Sequence, residues 1–388
     1  VGRHFGVHKL WMHQLEIDVA LPRSEKKSGL GHCAFDITTD PNLSPQRATL
    51  RRYFTINAMM FNPLTGELLD FHAGEIDLKN KTLRHISPAF SEDPLRPLRA
   101  MQFAARFRLK LEQETALLCA DLLKEAGTLS SERIWQEWRK WSHAAFPSFG
   151  LQALNDSGWL QLYPELLAMR GCPQNPRWHP EGDVWTHTLL VCDQAALIAS
   201  HNDLDNQNRE QLLFSALCHD FGKPACTSLA KSGEIISPGH SEAGIVPSGQ
   251  FLQAIGAPGR LLEQVQPLVR EHITHLHSEP TPRATRRLAH RLEPANIELW
   301  EMLVAADASG RSPAPASRPA LNWLQQAHKQ QHHQQKPIAI LTGKMLLTLG
   351  ASPGPNMGDI LDRAYHAQLD GDISDEKSAI AWYQKNKH

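Results

Sequence analysis

The chain has 388 residues, 41% hydrophobic and 21% charged, and its 40 Lys and Arg against 41 Asp and Glu leave a formal net charge of −1. That composition excludes a disordered chain, predicts about two to four globular domains, and excludes nucleic-acid binding through gross positive charge, so any such contact needs a local patch. The unusual count is 21 histidines, a residue that ligates metals and moves protons.

Cys33, Cys119, Cys172, Cys192, Cys218 and Cys226 are scattered without CxxC spacing. That argues against a zinc ribbon or a disulfide framework and predicts buried or free thiols in a reducing, cytoplasmic setting. No apolar run approaches the ~20 residues of a membrane span, and no signal peptide is visible. The chain opens with Val1 in Val1-Gly2-Arg3-His4-Phe5-Gly6-Val7, which reads as the interior of a domain. A preceding N-terminal segment is therefore expected.

Residues 1–85 read as strands and turns. Leu15-Glu16-Ile17-Asp18-Val19-Ala20-Leu21 alternates apolar and polar before Pro22, as a strand does. Short strands are predicted at 57–61 and 68–71, joined by the turn formers Asn62-Pro63-Leu64-Thr65-Gly66. From Asp93 the period becomes helical. Leu95, Leu98, Met101, Phe103, Ala105 and Phe107 face a core, with Pro94 in the first turn. Helices continue over 113–145, with Ser130 or Ser131 as an N-cap. Residues 179–310 read as helical and carry nine of the histidines. Ser312-Pro313-Ala314-Pro315-Ala316-Ser317-Arg318-Pro319 has linker composition. The Gln- and His-rich stretch 325–335 reads as a solvated helix face or loop. A turn at 350–355 precedes a helix over about 359–369.

Four short patterns in the first half carry chemistry. Arg51-Arg52-Tyr53-Phe54-Thr55-Ile56-Asn57 pairs two cations with an Asn. An Arg pair suits a triphosphate, because guanidinium forks bind phosphate oxygens bidentately. Asp93 and Arg96, three residues apart, offer the donors and acceptors of a base edge, with Arg99 a turn further. Glu132-Arg133-Ile134-Trp135-Gln136-Glu137 is the third pattern. Asp18 is a carboxylate on a strand, able to hold Mg²⁺. Each pattern alone reads equally as surface ion pairing. Between Ser44 and Lys110, however, 11 Lys and Arg meet 6 Asp and Glu, a local charge of +5.

These patterns, in this order, together with VGRHFGV, IDVALPR, GEIDLKNKTLRHI and EDPLRPLRAMQFAARF, resemble the class II tRNA nucleotidyltransferase and poly(A) polymerase family, specifically bacterial CCA-adding enzymes. The resemblance implies that Arg51, Arg52 and Asn57 handle ribose and triphosphate. It implies that Asp93 and Arg96 read the incoming base, that Glu132, Arg133 and Glu137 brace that helix, and that Asp18 is a third palm acid. Tyr53 stands where the family motif has Asp, which puts ribose handling in question. The family's Gly-Gly turn and metal-holding DxD lie outside this sequence, whose first acid is Glu16. Little nucleotidyl transfer is expected from residues 1–388 alone.

In the second half, His187, His219-Asp220, His240, His272 and Asp307 follow one another in an order that resembles the HD phosphohydrolase superfamily, a helical metal-binding fold. The resemblance implies that His187, His219, Asp220 and Asp307 hold one divalent metal (Ni²⁺, Mn²⁺ or Mg²⁺), and that His240 and His272 hold a second. Lys223, one turn beyond the pair, is a candidate phosphate binder. His179, His201, His275, His277 and His290 read as ordinary histidines.

The expected fold class is α+β: a palm remnant over 1–85, a helical neck and body over 86–178, an HD domain over 179–311, and a linker with a helical tail over 312–388. The expected function is tRNA 3′-end CCA addition and repair from CTP and ATP with Mg²⁺, joined to a phosphohydrolase of the 2′,3′-cyclic phosphodiesterase, 2′-nucleotidase or phosphatase type. The partner is tRNA, no membrane is involved, and the chain is a monomer or homodimer. The alternatives are a poly(A) polymerase, or a free-standing HD phosphohydrolase with a non-catalytic RNA-binding head.

Overall fold

The computed structural model describes residues 7–13, 15–27, 35–313 and 315–387. Residues 1–6 of the opening motif, Cys33 and Ala314 of the linker lie outside them. The chain divides into two compact units, Val1–Leu167 with Ala254–Gly256, and Ala168–Gln253 with Ala257–His388.

In the first unit, Val7–Met12 pairs antiparallel with Leu15–Ala20, and Arg23–Lys27 pairs with Phe35–Thr39. Among the described residues each sheet has two strands, so the expected palm remnant is a set of ribbons. Met60–Phe61 and Leu68–Leu69 close around the 62–66 turn, where Gly66 adopts φ +74°, a conformation glycine takes without strain. The helix expected from Asp93 starts later. Pro88–Glu92 is a 3-10 turn, Asp93 is extended, and the helix is Arg96–Phe107 with Pro97, not Pro94, in its first turn. Leu98, Met101 and Ala105 are buried as expected, while Phe107 faces outward.

That helix packs against Pro147–Asp156 and Ser131–Ser142. Ser130 caps the latter, its hydroxyl accepting from the Arg133 amide. Trp138, Trp141 and Trp159 are fully buried, and each indole N–H has a partner: Tyr163 Oη (3.0 Å), Pro147 O (3.0 Å) and Cys119 O (2.7 Å). Gly150 lets two helices touch. A Cβ there would sit 2.7 Å from Met101 O and 2.8 Å from Trp141 Cδ1.

The second unit is a helical bundle. Val184–His201, Asn206–Cys218, Gly259–Glu271 and Ile297–Ser309 pack around a core of Val191, Leu213, Leu217, Val265, Leu268, Leu303 and Val304. Asp183, Asp205 and Asn296 cap three of these helices. Residues 312–313 and 315–319 are irregular, as the composition predicts, yet Arg318 reaches the fully buried Glu301, with Nε donating to Oε1 at 2.8 Å. The tail has its own small core of Leu341, Leu346, Ala364, Ile373, Ala379 and Tyr383. Cys119, Cys172, Cys192, Cys218 and Cys226 are free thiols. No helix among the described residues is long and apolar enough to cross a membrane.

Replacing Gly150 with Ala is expected to destabilise the protein by about 1–3 kcal/mol through overpacking. Urea unfolding checks this, and an unchanged midpoint would contradict the close helix approach.

Candidate functional site

Five segments of the second unit bring the HD-region side chains together. His187 comes from the first turn of its helix, His219 and Asp220 from the end of the Asn206–Cys218 helix, and His240 from a single turn. His272 ends the Gly259–Glu271 helix, and Asp307 lies on Ile297–Ser309. His187, His219, Asp220 and His272 are all but inaccessible. His187 Nε2 lies 3.0 Å from Asp307 Oδ1 and 4.0 Å from Asp220 Oδ2, and His219 Nε2 lies 3.1 Å from Asp220 Oδ2. The other Asp220 oxygen, Oδ1, faces His240 Nε2 at 3.6 Å and His272 Nε2 at 4.0 Å. The donors thus form two triads, His187–His219–Asp307 and Asp220–His240–His272.

Local backbone aims three of the four rings. His219 Nδ1 sits 2.8 Å from Ala216 O, His240 Nδ1 2.8 Å from Ser237 O, and His272 Nδ1 2.6 Å from Val269 O. Each carbonyl is three residues upstream and holds Nδ1 as the donor, leaving Nε2 as the lone-pair nitrogen toward the centre. At His187 the neighbour is the Glu181 carboxylate, whose Oε1 contacts Nδ1 at 2.7 Å and lies 2.9 Å from His179 Nδ1. Gly222 makes the His240 turn fit. A Cβ there would fall 2.0 Å from His240 O. Gly310 lets the end of the Asp307 helix close on Val191, whose Cγ2 a Cβ would meet at 2.6 Å.

Burial opposes charge on Asp220, but His219 and Lys223 beside it hold its carboxyl well below the usual range. Burial opposes charge on Asp307 as well, and the His187 hydrogen bond and Arg311 hold it low. Burial, reinforced by His219 and His240, pushes His272 down to about 3, and burial also lowers His240. Burial opposes charge on His187 too, but Asp307 and Glu181 beside it raise it; neutral His240 and His272 facing the ionised Asp220 are in the protonation states that metal ligation requires. The buried His219 Nε2 has no hydrogen-bond partner. This donor set fits borderline divalent ions.

The centre opens into a cleft of about 400 Å³ lined also by Gln174, Trp178, His179, Ile235 and Ser237. Two cations stand at its edge. Lys223 Nζ contacts Asp220 Oδ2 at 2.7 Å and donates to Gln174 Oε1 at 2.7 Å, and Arg311 Nη2 contacts Asp307 at 3.3 Å. Glu181 and Arg311 escape a reading built on the H…HD…H…H…D order, and His179, read there as ordinary, touches Glu181. An Asp307–Arg311 spacing of four is the one signal that marks Arg311.

In the first unit, Arg133 Nη2 reaches both Asp93 oxygens at 3.1 Å. Asp93 is therefore tied to the Arg133 helix and does not share a helix face with Arg96, whose Nη1 donates to Ala89 O. The Tyr53 ring lies 4.9 Å from the Arg99 guanidinium and 5.9 Å from that of Arg96, so the residue in place of the expected Asp packs between two predicted nucleotide-binding arginines. Glu137 is buried, holds Lys140 at 2.8 Å and acts electrostatically on Arg99. Asn57 Oδ1 accepts from the Phe54 amide at 3.1 Å. Arg51 is half-buried; Arg52 and Glu132 are exposed. Asp18 is exposed on its ribbon, 3.9 Å from Lys9, and joins none of these contacts among the described residues.

Residues 1–84 match the Poly A polymerase head domain, and residues 184–306 match the HD domain. The multifunctional CCA protein of Pasteurella multocida is 35% identical over 328 residues, 80% of this chain and 75% of its own length. That of Xanthomonas campestris pv. campestris is 32% identical over 364 residues, 91% of this chain and 84% of its own. The fold is shared with the Bacillus stearothermophilus CCA-adding enzyme solved in complex with CTP, at a TM-score of 0.62 and 18% identity over 98% of this chain and 82% of that one.

Glu181→Gln keeps the shape but weakens the hold on His187 Nδ1. Metal affinity is expected to fall about 10- to 100-fold, measured by calorimetric titration of the metal-stripped protein; undiminished affinity would contradict the orienting role.

Proposed function

The chain belongs to the family of the multifunctional CCA proteins, and from that membership we propose how its parts divide the work. It is a CCA-adding tRNA nucleotidyltransferase with an HD domain. In our reading, residues 1–85 form the head, 86–178 the neck and body, 179–311 the phosphohydrolase and 312–388 the tail.

The head and neck receive CTP or ATP. Arg51 and Arg52 take the triphosphate, Asn57 the ribose side, and Asp93 and Arg96 the base edge, with Arg99 alongside. Arg133 and Glu137 are positioning residues, and Asp18 is assigned to the palm metal, Mg²⁺. The Arg133–Asp93 contact supports this assignment of roles, because it fixes the carboxylate while leaving lone pairs for a base. Tyr53 supplies a flat face to Arg99 where a carboxylate is absent.

The HD centre hydrolyses phosphate esters at RNA 3′ ends: 2′,3′-cyclic phosphates, 2′-phosphates or terminal monoesters. The observation that carries this reading is the convergence of four Nε2 atoms on Asp220 and Asp307, with Lys223 and Arg311 at the cleft edge. Divalent ions there, of the Ni²⁺, Mn²⁺ or Mg²⁺ kind, stabilise charge on phosphoryl oxygens when bound. His187, His219, Asp220 and Asp307 would hold one, and His240 and His272 the other. Lys223 and Arg311 neutralise the buried carboxylates and face the cleft as phosphate-binding cations. Gln174 positions the Lys223 ammonium by accepting its hydrogen bond.

Chelator treatment of the full chain should abolish hydrolysis of 2′,3′-cyclic AMP, and added Ni²⁺ or Mn²⁺ should restore it. His219→Ala with Asp220→Ala should lose it by at least about 100-fold, with circular dichroism confirming the fold; retained activity refutes the site. Arg133→Ala should weaken CTP and ATP binding about tenfold or more, since a hydrogen bond to a charged group is worth about 1.5–3 kcal/mol. Equilibrium titration reads this out, and unaltered binding of both nucleotides removes Arg133 from the positioning role.

A further inference from the structure

The other end of the Ile297–Ser309 helix carries an acid beside two histidines. Glu298 lies in the first turn, nine residues before Asp307, hence about 13 Å away along the axis. There it meets the Gln- and His-rich stretch that reads from sequence as a solvated face. His328 stands in the last turn of the Leu321–Lys329 helix, and His333 in the loop beyond.

One ligand atom from each of Glu298, His328 and His333 lies within 4.8 Å of the others. His333 Nε2 is 3.8 Å from Glu298 Oε1. The two imidazoles stack with centroids 4.0 Å apart and planes 30° apart. The backbone already joins the pieces, since the Glu298 amide donates to His333 O at 3.3 Å. Gln334 Nε2 holds the second carboxylate oxygen at 3.4 Å. The other ring nitrogen of His333, Nδ1, is buried and has no hydrogen-bond partner.

Bonds of ~2.0–2.2 Å to nitrogen and oxygen place tetrahedral ligand atoms about 3.4 Å apart; His333 Nε2 and Glu298 Oε1, 3.8 Å apart, are near that spacing, and the exposed His328 ring has to turn out of its stack to bring a lone pair to the same point. Two imidazoles and one carboxylate select a borderline ion over Mg²⁺ or Ca²⁺, which prefer oxygen.

We propose that Glu298, His328 and His333 form a binding site for a divalent cation of the Zn²⁺ class, separate from the HD centre, that fastens the 328–333 turn to the start of the Asp307 helix. The exposed side of His328 leaves room for water as a further ligand.

The full chain, stripped with chelator and dialysed, is titrated with Zn²⁺, and bound metal is counted by atomic emission after gel filtration. Wild type is expected to retain one equivalent more than Glu298→Gln or the His328→Gln, His333→Gln double variant. Cyclic phosphodiesterase activity should be the same in all three. Equal Zn²⁺ equivalents in wild type and variants would overturn the proposal. Should the double variant fail to fold, His328→Gln alone decides, because that side chain is exposed: at least tenfold weaker Zn²⁺ binding at this equivalent supports the site, and unchanged binding refutes it.

Discussion

A carboxylate sealed from water must be matched by charge, and Asp220 is the place where this chain meets that demand. Its two oxygens look in opposite directions, Oδ2 toward His187, His219 and Lys223, and Oδ1 toward His240 and His272. An unpaired buried anion would cost several kcal/mol, so these partners cannot be removed singly without consequence. The helices that deliver them therefore have to converge on one point. The bundle of the second unit is, in effect, the packing solution to that electrostatic requirement.

Convergence alone would leave each ring free to turn. Ring freedom is removed by the backbone three residues earlier, at Ala216, Ser237 and Val269, and at His187 by Glu181. The glycines serve the same end by a different route. Gly222 admits the His240 backbone, and Gly310 the Val191 side chain, where a Cβ would stand, and so they bring the His240 turn and the Asp307 helix to the right depth. The site is thus specified as much by atoms that are missing as by the side chains that converge on it.

Much of this was legible in the sequence, for identifiable reasons. The order of His and Asp resembles that of the HD superfamily and survives any folding of the loops between them, and that resemblance is why His187, His219, Asp220, His240, His272 and Asp307 could be named together. Strand alternation placed Leu15–Ala20, and turn residues placed the 62–66 connection. What failed depended on three-dimensional neighbours. Asp93 and Arg96 have helical spacing, but the 3-10 turn at Pro88–Glu92 delays the helix and sends Asp93 to Arg133, forty residues on. Glu181 carries no pattern until His187 folds against it. Glu298 is thirty residues from His328, so the polar stretch at 325–335 looked merely solvated.

The Ile297–Ser309 helix acts as a measuring rod. It is buried along most of its length, with Glu301 fixed to Arg318 and Asp307 to His187. Each residue of an α-helix advances about 1.5 Å and turns about 100°. Adding or deleting a single residue between Glu301 and Asp307 would therefore rotate one acid off its partner while the other stayed in register. The loops can absorb such a change and this helix cannot, so its residue count, more than its composition, is what the site depends on.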